Sequence, residues 1–101
     1  MDDQGIKKEL KIEIKVDENV ASGIFTNFSN ISHSPEEFVL DFLLIHPSPP
    51  PGFGKLKSRM IMTPSHAKRL LGVLQENLAE YEKRFGEIRL NHSKVNLGSI
   101  Q

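Results

Sequence analysis

Apolar and polar positions alternate at the first patterned stretch of the chain: Leu10, Ile12, Ile14 and Val16 are separated by Lys11, Glu13 and Lys15. A period of two marks a half-buried strand with one dry and one wet face. Asp17-Glu18-Asn19 is turn chemistry and closes that strand. In residues 21–32, Ile24, Thr26 and Phe28 fall on one face and Phe25, Asn27, Ser29 and Ile31 on the other. The apolar residues change sides, which predicts a β-bulge or two-sided burial in a second strand.

Ser34-Pro35-Glu36 reads as a turn into a third strand, residues 38–45. There Phe38, Leu40, Phe42 and Leu44 share one face, and Val39, Asp41, Leu43 and Ile45 the other. Both faces are apolar except at Asp41, the signature of a central strand covered on both sides. Residues 46–54 carry four prolines and two glycines, which remove backbone donors and favour polyproline II, so this stretch is a loop. A fourth strand, residues 56–62, is expected to pair beside the third.

Thr63-Pro64 then opens a helix, with a hydroxyl N-cap and proline at the first helical position. Ala67, Leu71, Leu74, Leu78, Tyr81 and Phe85 step by four, three, four, three and four residues. This is an uninterrupted heptad seam, widened by Leu70 and Val73. Lys83 and Arg84 complement the dipole at the last turn, and Gly86 is a natural C-terminal stop. A helix from Pro64 to Phe85 is roughly 33 Å long at its 1.5 Å rise, whereas a small four-stranded sheet is about 20 Å across. The helix covers its own sheet in this reading and overhangs it, and the overhang calls for a partner. The fold class expected is α+β: an antiparallel four-stranded β-meander followed by one long amphipathic helix. Residues 1–7 are a flexible N-terminus, 8–88 a single domain, and 89–101 a tail that either adds a short strand or stays disordered.

The chain has 101 residues, enough for one core. Thirteen acidic and thirteen basic residues cancel, which argues against nucleic-acid binding through a basic surface. The absence of cysteine excludes disulfides, thiolate metal sites and cysteine nucleophiles. The acidic N-terminus does not read as a signal peptide, and no apolar run is long enough for a bilayer, so no membrane association and a cytoplasmic location are expected.

Asp41 and Arg59 each interrupt an apolar pattern on strands expected to be neighbours. They read as a bidentate, partly buried pair, either a register-fixing salt bridge, the favoured reading, or an anchor for a ligand. The four histidines, His33, His46, His66 and His92, lack the close spacing of a helical metal site. His66, in the first helical turn, is the one placed to bind an anion with free backbone N–H groups. No nucleophile elbow, phosphate loop or carboxylate pair is present, so neither an enzyme nor a cofactor or metal site is expected.

The residues His33-Ser34-Pro35, Glu37-Phe38-Val39-Leu40-Asp41-Phe42, Ser58-Arg59 and Thr63-Pro64-Ser65-His66-Ala67-Lys68-Arg69-Leu70-Leu71 form a recognisable pattern with Leu74-Gln75-Glu76-Asn77, Tyr81-Glu82 and Phe85-Gly86. Over residues 9–88 this resembles a family of small prokaryotic proteins, Domain of Unknown Function 3467. The resemblance implies no activity, substrate or cofactor. It does imply that Asp41, Arg59 and His66 belong to the shared pattern, without a role. The element order also looks like that of the export chaperone SecB, a likeness of order alone.

The functional expectation is a non-enzymatic, self-associating protein-interaction module, a homodimer first, with Leu71, Leu74, Leu78, Tyr81 and Phe85 as the contact seam. Another protein is the other partner considered. The alternatives are a chaperone-like binder of unfolded peptides and a small anion-binding protein using Asp41, Arg59 and His66.

Overall fold

The computed structural model describes residues 9–47, 49–90 and 95–100. Within them the order is α1 (Glu18–Ala21), β1 (Phe28–His33), β2 (Phe38–His46), β3 (Phe53–Met62) and α2 (Pro64–Phe85). The three strands form one antiparallel sheet with β2 in the centre. Its two apolar faces suit that place, since a central strand needs cover on both sides. The expectations for residues 1–7 and 91–94 of the tail lie outside the described residues, as does His92.

The sheet has three strands where four were expected. Residues 9–17 carry no helix or strand. Among the described residues, no backbone hydrogen bond reaches 10–16. Alternation specifies which face a strand would bury, but pairing needs an available edge, and within this chain none is joined. Asp17 then begins a single helical turn instead of a hairpin: its side chain accepts from the Asn19 N–H, and its carbonyl accepts from Val20 and Ala21. The second strand also starts later than expected, at Phe28, so Ile24 and Phe25 precede the sheet and their change of face needs no bulge.

The bulge lies elsewhere. Phe42 pairs with Ser58 but Leu43 pairs with Leu56, which leaves Lys57 as the extra residue of β3. A regular ladder would have set Lys57 beside Leu43. The bulge instead completes an apolar row, Phe28–Leu43–Leu56, across all three strands. On that same face lie the rows Ser32–Val39–Ile61 and Asn30–Asp41–Arg59, while the opposite face carries Ile31–Leu40–Met60 and His33–Phe38–Met62.

Asn27 lengthens β1 by imitation. Its backbone N–H donates to Leu43 O at 3.0 Å, its side-chain amide donates to Ile45 O at 3.0 Å, and its amide oxygen accepts from Ile45 N–H at 2.9 Å. The side chain thus supplies the donor and acceptor of one further strand residue. At the other end of β2, the proline-rich connection closes at Gly52, where a Cβ would come within 2.8 Å of His46 O, and His46 stacks on Phe53 at 4.8 Å.

Helix α2 runs from Pro64 to Phe85, the limits its sequence predicts. Thr63 Oγ1 accepts from His66 N–H at 3.2 Å, and Gly86, at φ 99°, stops the helix. Here the expectation that the helix covers its own sheet fails. Substantial contact between elements is confined to β1 with β2 and β2 with β3, and no residue of α2 is buried. Thr63-Pro64 follows β3 directly, so the short link carries the helix off the strand end.

Asn27→Ala leaves the N–H and C=O of Ile45 without their protein partners. It is expected to destabilise the fold by about 1 kcal/mol, read as a lowered midpoint in urea unfolding with an unchanged slope.

Candidate functional site

The candidate site begins with the polar row across the middle of the sheet. Asp41 and Arg59 are directly paired across β2 and β3, so their side chains leave the same face. Arg59 Nε donates to Asp41 Oδ1 at 2.6 Å and Nη2 donates to Oδ2 at 3.0 Å. This is the two-pronged fit that a planar guanidinium makes with a carboxylate. The Asp41 side chain is 5% exposed and that of Arg59 is 45% exposed, so the carboxylate is enclosed and the guanidinium caps it from the solvent side.

The hydrogen bonds from Arg59, reinforced by its charge, hold the Asp41 carboxyl below its ordinary range against the opposing effect of burial. The same contact raises Arg59. The pair is charged and mutually satisfied. Asp41 takes two of the five guanidinium donors and cancels the charge, which weakens the pull of Arg59 on a second anion, so the geometry favours the register-fixing role.

His66 does not join this pair. Its backbone N–H is bonded to Thr63, and no hydrogen bond links it to Asp41 or Arg59 among the described residues. Two of the three suspected ligand residues are therefore bonded to each other, and the third is bonded to neither. Among the described residues, no group of three or more His, Cys, Asp or Glu is placed to hold a metal ion, and no helix is long and apolar enough to cross a membrane.

The second candidate is the seam of α2. Leu71, Leu74, Leu78, Tyr81 and Phe85 are 42–67% exposed, and Leu70 and Val73 beside them are uncovered as well. Tyr81 and Phe85 lie ring to ring at 5.0 Å, with the Arg84 guanidinium 5.4 Å from the Phe85 ring centre. Beyond Gly86 the chain turns back along the helix, tied by Ile88 N–H donating to Glu82 Oε2 at 2.9 Å. Ile88 thereby lines a shallow groove with Leu74, Leu78, Tyr81 and Phe85. Residues 95–100 lie over the other end of the molecule, where Leu97 and Ile100 are half-buried and line a hollow with Leu43, Ile45 and Phe53. Sequence reasoning missed Asn27 and Lys57. An asparagine just before an apolar run is a turn signal as readily as a strand mimic, and a bulge is visible only once two strands are aligned.

Because the Asp41 pKa is lowered on folding, its stabilising effect is complete above the unfolded carboxylate value near 4 and is lost as pH falls through the lower, folded value. Acid unfolding followed by circular dichroism is expected to show this loss below about pH 4. In Asp41→Asn that portion of the pH dependence disappears, and the variant is less stable than the parent at pH 7, because Arg59 keeps its charge but loses its anionic partner and one of its two acceptor oxygens.

No curated protein and no solved structure matches this chain. A family model does, over residues 1–90, and its description is "Protein of unknown function (DUF3467)". That span takes in the sheet with its Asp41–Arg59 pair and the whole of α2, and the chain belongs to this family.

Proposed function

We propose that the protein is a homo-oligomeric interaction module, a homodimer in its smallest form, whose folded state is completed by the α2 seam of a second copy. The observation that carries this reading is the uncovered seam: a heptad stripe the full length of a 22-residue helix, with no residue of it buried. The core is correspondingly small: among the described residues, Leu40 and Leu43 are the buried hydrophobic residues and Asp41 the buried charged one.

The areas point the same way. The chain exposes 9653 Å², whereas a compact protein of its mass exposes about 5,800 Å². The excess, roughly 3,900 Å² per chain, is more than the roughly 1,000–2,500 Å² that each partner of a permanent homodimer buries. Its radius of gyration, 18.1 Å, also exceeds the roughly 13 Å of a compact domain of this length. A second copy is the occupant this favours, because it brings an identical seam and an identical deficit of core. Closed pairs with twofold symmetry are the commonest assemblies of soluble chains. Heptad spacing is also what side-by-side helices require for knobs to enter holes.

In this reading Asp41 and Arg59 hold the sheet in register and are not a ligand site. Sedimentation equilibrium at micromolar concentration is expected to give at least a dimer. Leu74→Asp and Leu78→Asp should each raise the dissociation constant by at least about a hundredfold, while Glu76→Lys, on the opposite side of the helix, leaves it within a few fold. A compact monomer for the parent chain would overturn the proposal.

A further inference from the structure

The segment preceding α1 is patterned as a strand and lacks a partner. Leu10, Ile12, Ile14 and Val16 are 65–82% exposed, and among the described residues no backbone bond ties the segment down. Exposed alternation of this kind is a template for adding to a sheet edge, where main-chain hydrogen bonds supply the affinity and alternate side chains the register.

The sheet offers two outer edges of different character. β3 carries Lys55, the bulged Lys57 and Arg59; basic side chains and bulges are the features that blunt an edge against pairing. They would also face Lys11 and Lys15 of an incoming segment with like charge. β1 reads Phe-Ser-Asn-Ile-Ser-His and has no lysine, arginine, proline or bulge. It spans six residues, close to the length of 10–16. The two sheet faces also differ. One contains the polar row Asn30–Asp41–Arg59, while the other continues Ile31 into Leu40 and Met60, with Ile31 58% exposed at the margin.

We infer that residues 10–16 of one copy form a fourth strand on the outer edge of β1 in a second copy, with Leu10, Ile12, Ile14 and Val16 continuing the Ile31–Leu40–Met60 face. This rests on the homo-oligomeric reading and deepens it. Exchange of the segment would complete a four-stranded sheet in each copy, cover the undefended edge, and link the two chains independently of the α2 seam. The single turn of α1, capped by Asp17, lies between segment and sheet as the connection that carries the strand across.

Amide hydrogen exchange on the full-length protein tests this. Amides in 10–16 and on the outer edge of β1 are expected to exchange at least about tenfold more slowly than an unstructured chain. Neighbouring residues of a strand point their N–H groups in opposite directions, so one of Ile12→Pro and Glu13→Pro must remove a ladder donor. That variant should lose the protection and weaken association at least about tenfold. An association made by α2 alone would be indifferent to both. In an equal mixture of isotope-labelled and unlabelled chains, proton contacts between 10–16 and β1 are expected across chains. An oligomer whose residues 10–16 exchange freely, or contact β1 only within one chain, overturns strand exchange and leaves the seam proposal standing. A monomer overturns both.

Discussion

A folded chain must take its apolar rows out of water, and here each element carries more of them than its neighbours in the chain can cover. The sheet is apolar on both faces of β2, the helix is apolar along its length, and the segment before α1 is apolar on alternate positions. Three layers would be needed to enclose such a sheet on both sides. The described residues supply one three-stranded layer, residues 95–100 over one end of it, and a helix that leaves the end of β3 without turning back across it. Everything proposed about association follows from this imbalance.

Inside the sheet, specificity comes from the polar row. An enclosed carboxylate is tolerable only with its charge compensated and its oxygens bonded, and Asp41 meets that requirement with Arg59 alone in one register of β2 against β3. A slip by one residue would put the two side chains on opposite faces. The Lys57 bulge works with it. Counted from Arg59, the extra residue returns Leu56 to the face of Leu43, so the polar row and the apolar row beside it are both satisfied. Asn27 does the equivalent service at Ile45, where β1 would otherwise end one residue short.

The parts of this structure legible in the sequence are those decided by neighbours along the chain. Thr63, Pro64 and Gly86 set both ends of α2 because capping is local chemistry. The central position of β2 followed from its two apolar faces, and the pairing of Asp41 with Arg59 from two charges breaking apolar patterns on adjacent strands. Periodicity failed where a long-range choice decides. It reported that residues 10–16 have a dry face and that α2 has an apolar seam, but not what covers either one. The helix was expected to lie on its own sheet because an apolar seam must lie on something, and its length suggested only an overhang. From Leu71 to Phe85 the seam proves exposed. Among the suspected ligand residues, His66 shares a recognisable pattern with Asp41 and Arg59 but no hydrogen bond with either among the described residues, since pattern membership carries no distance.

If association completes the core, folding and assembly are one equilibrium, and stability must depend on protein concentration. Thermal unfolding measured from about one to one hundred micromolar tests this most directly. The proposed assembly predicts a midpoint that climbs by several degrees over that range. A cooperative transition at the same temperature throughout would mean that a single chain folds on its own, and would contradict it.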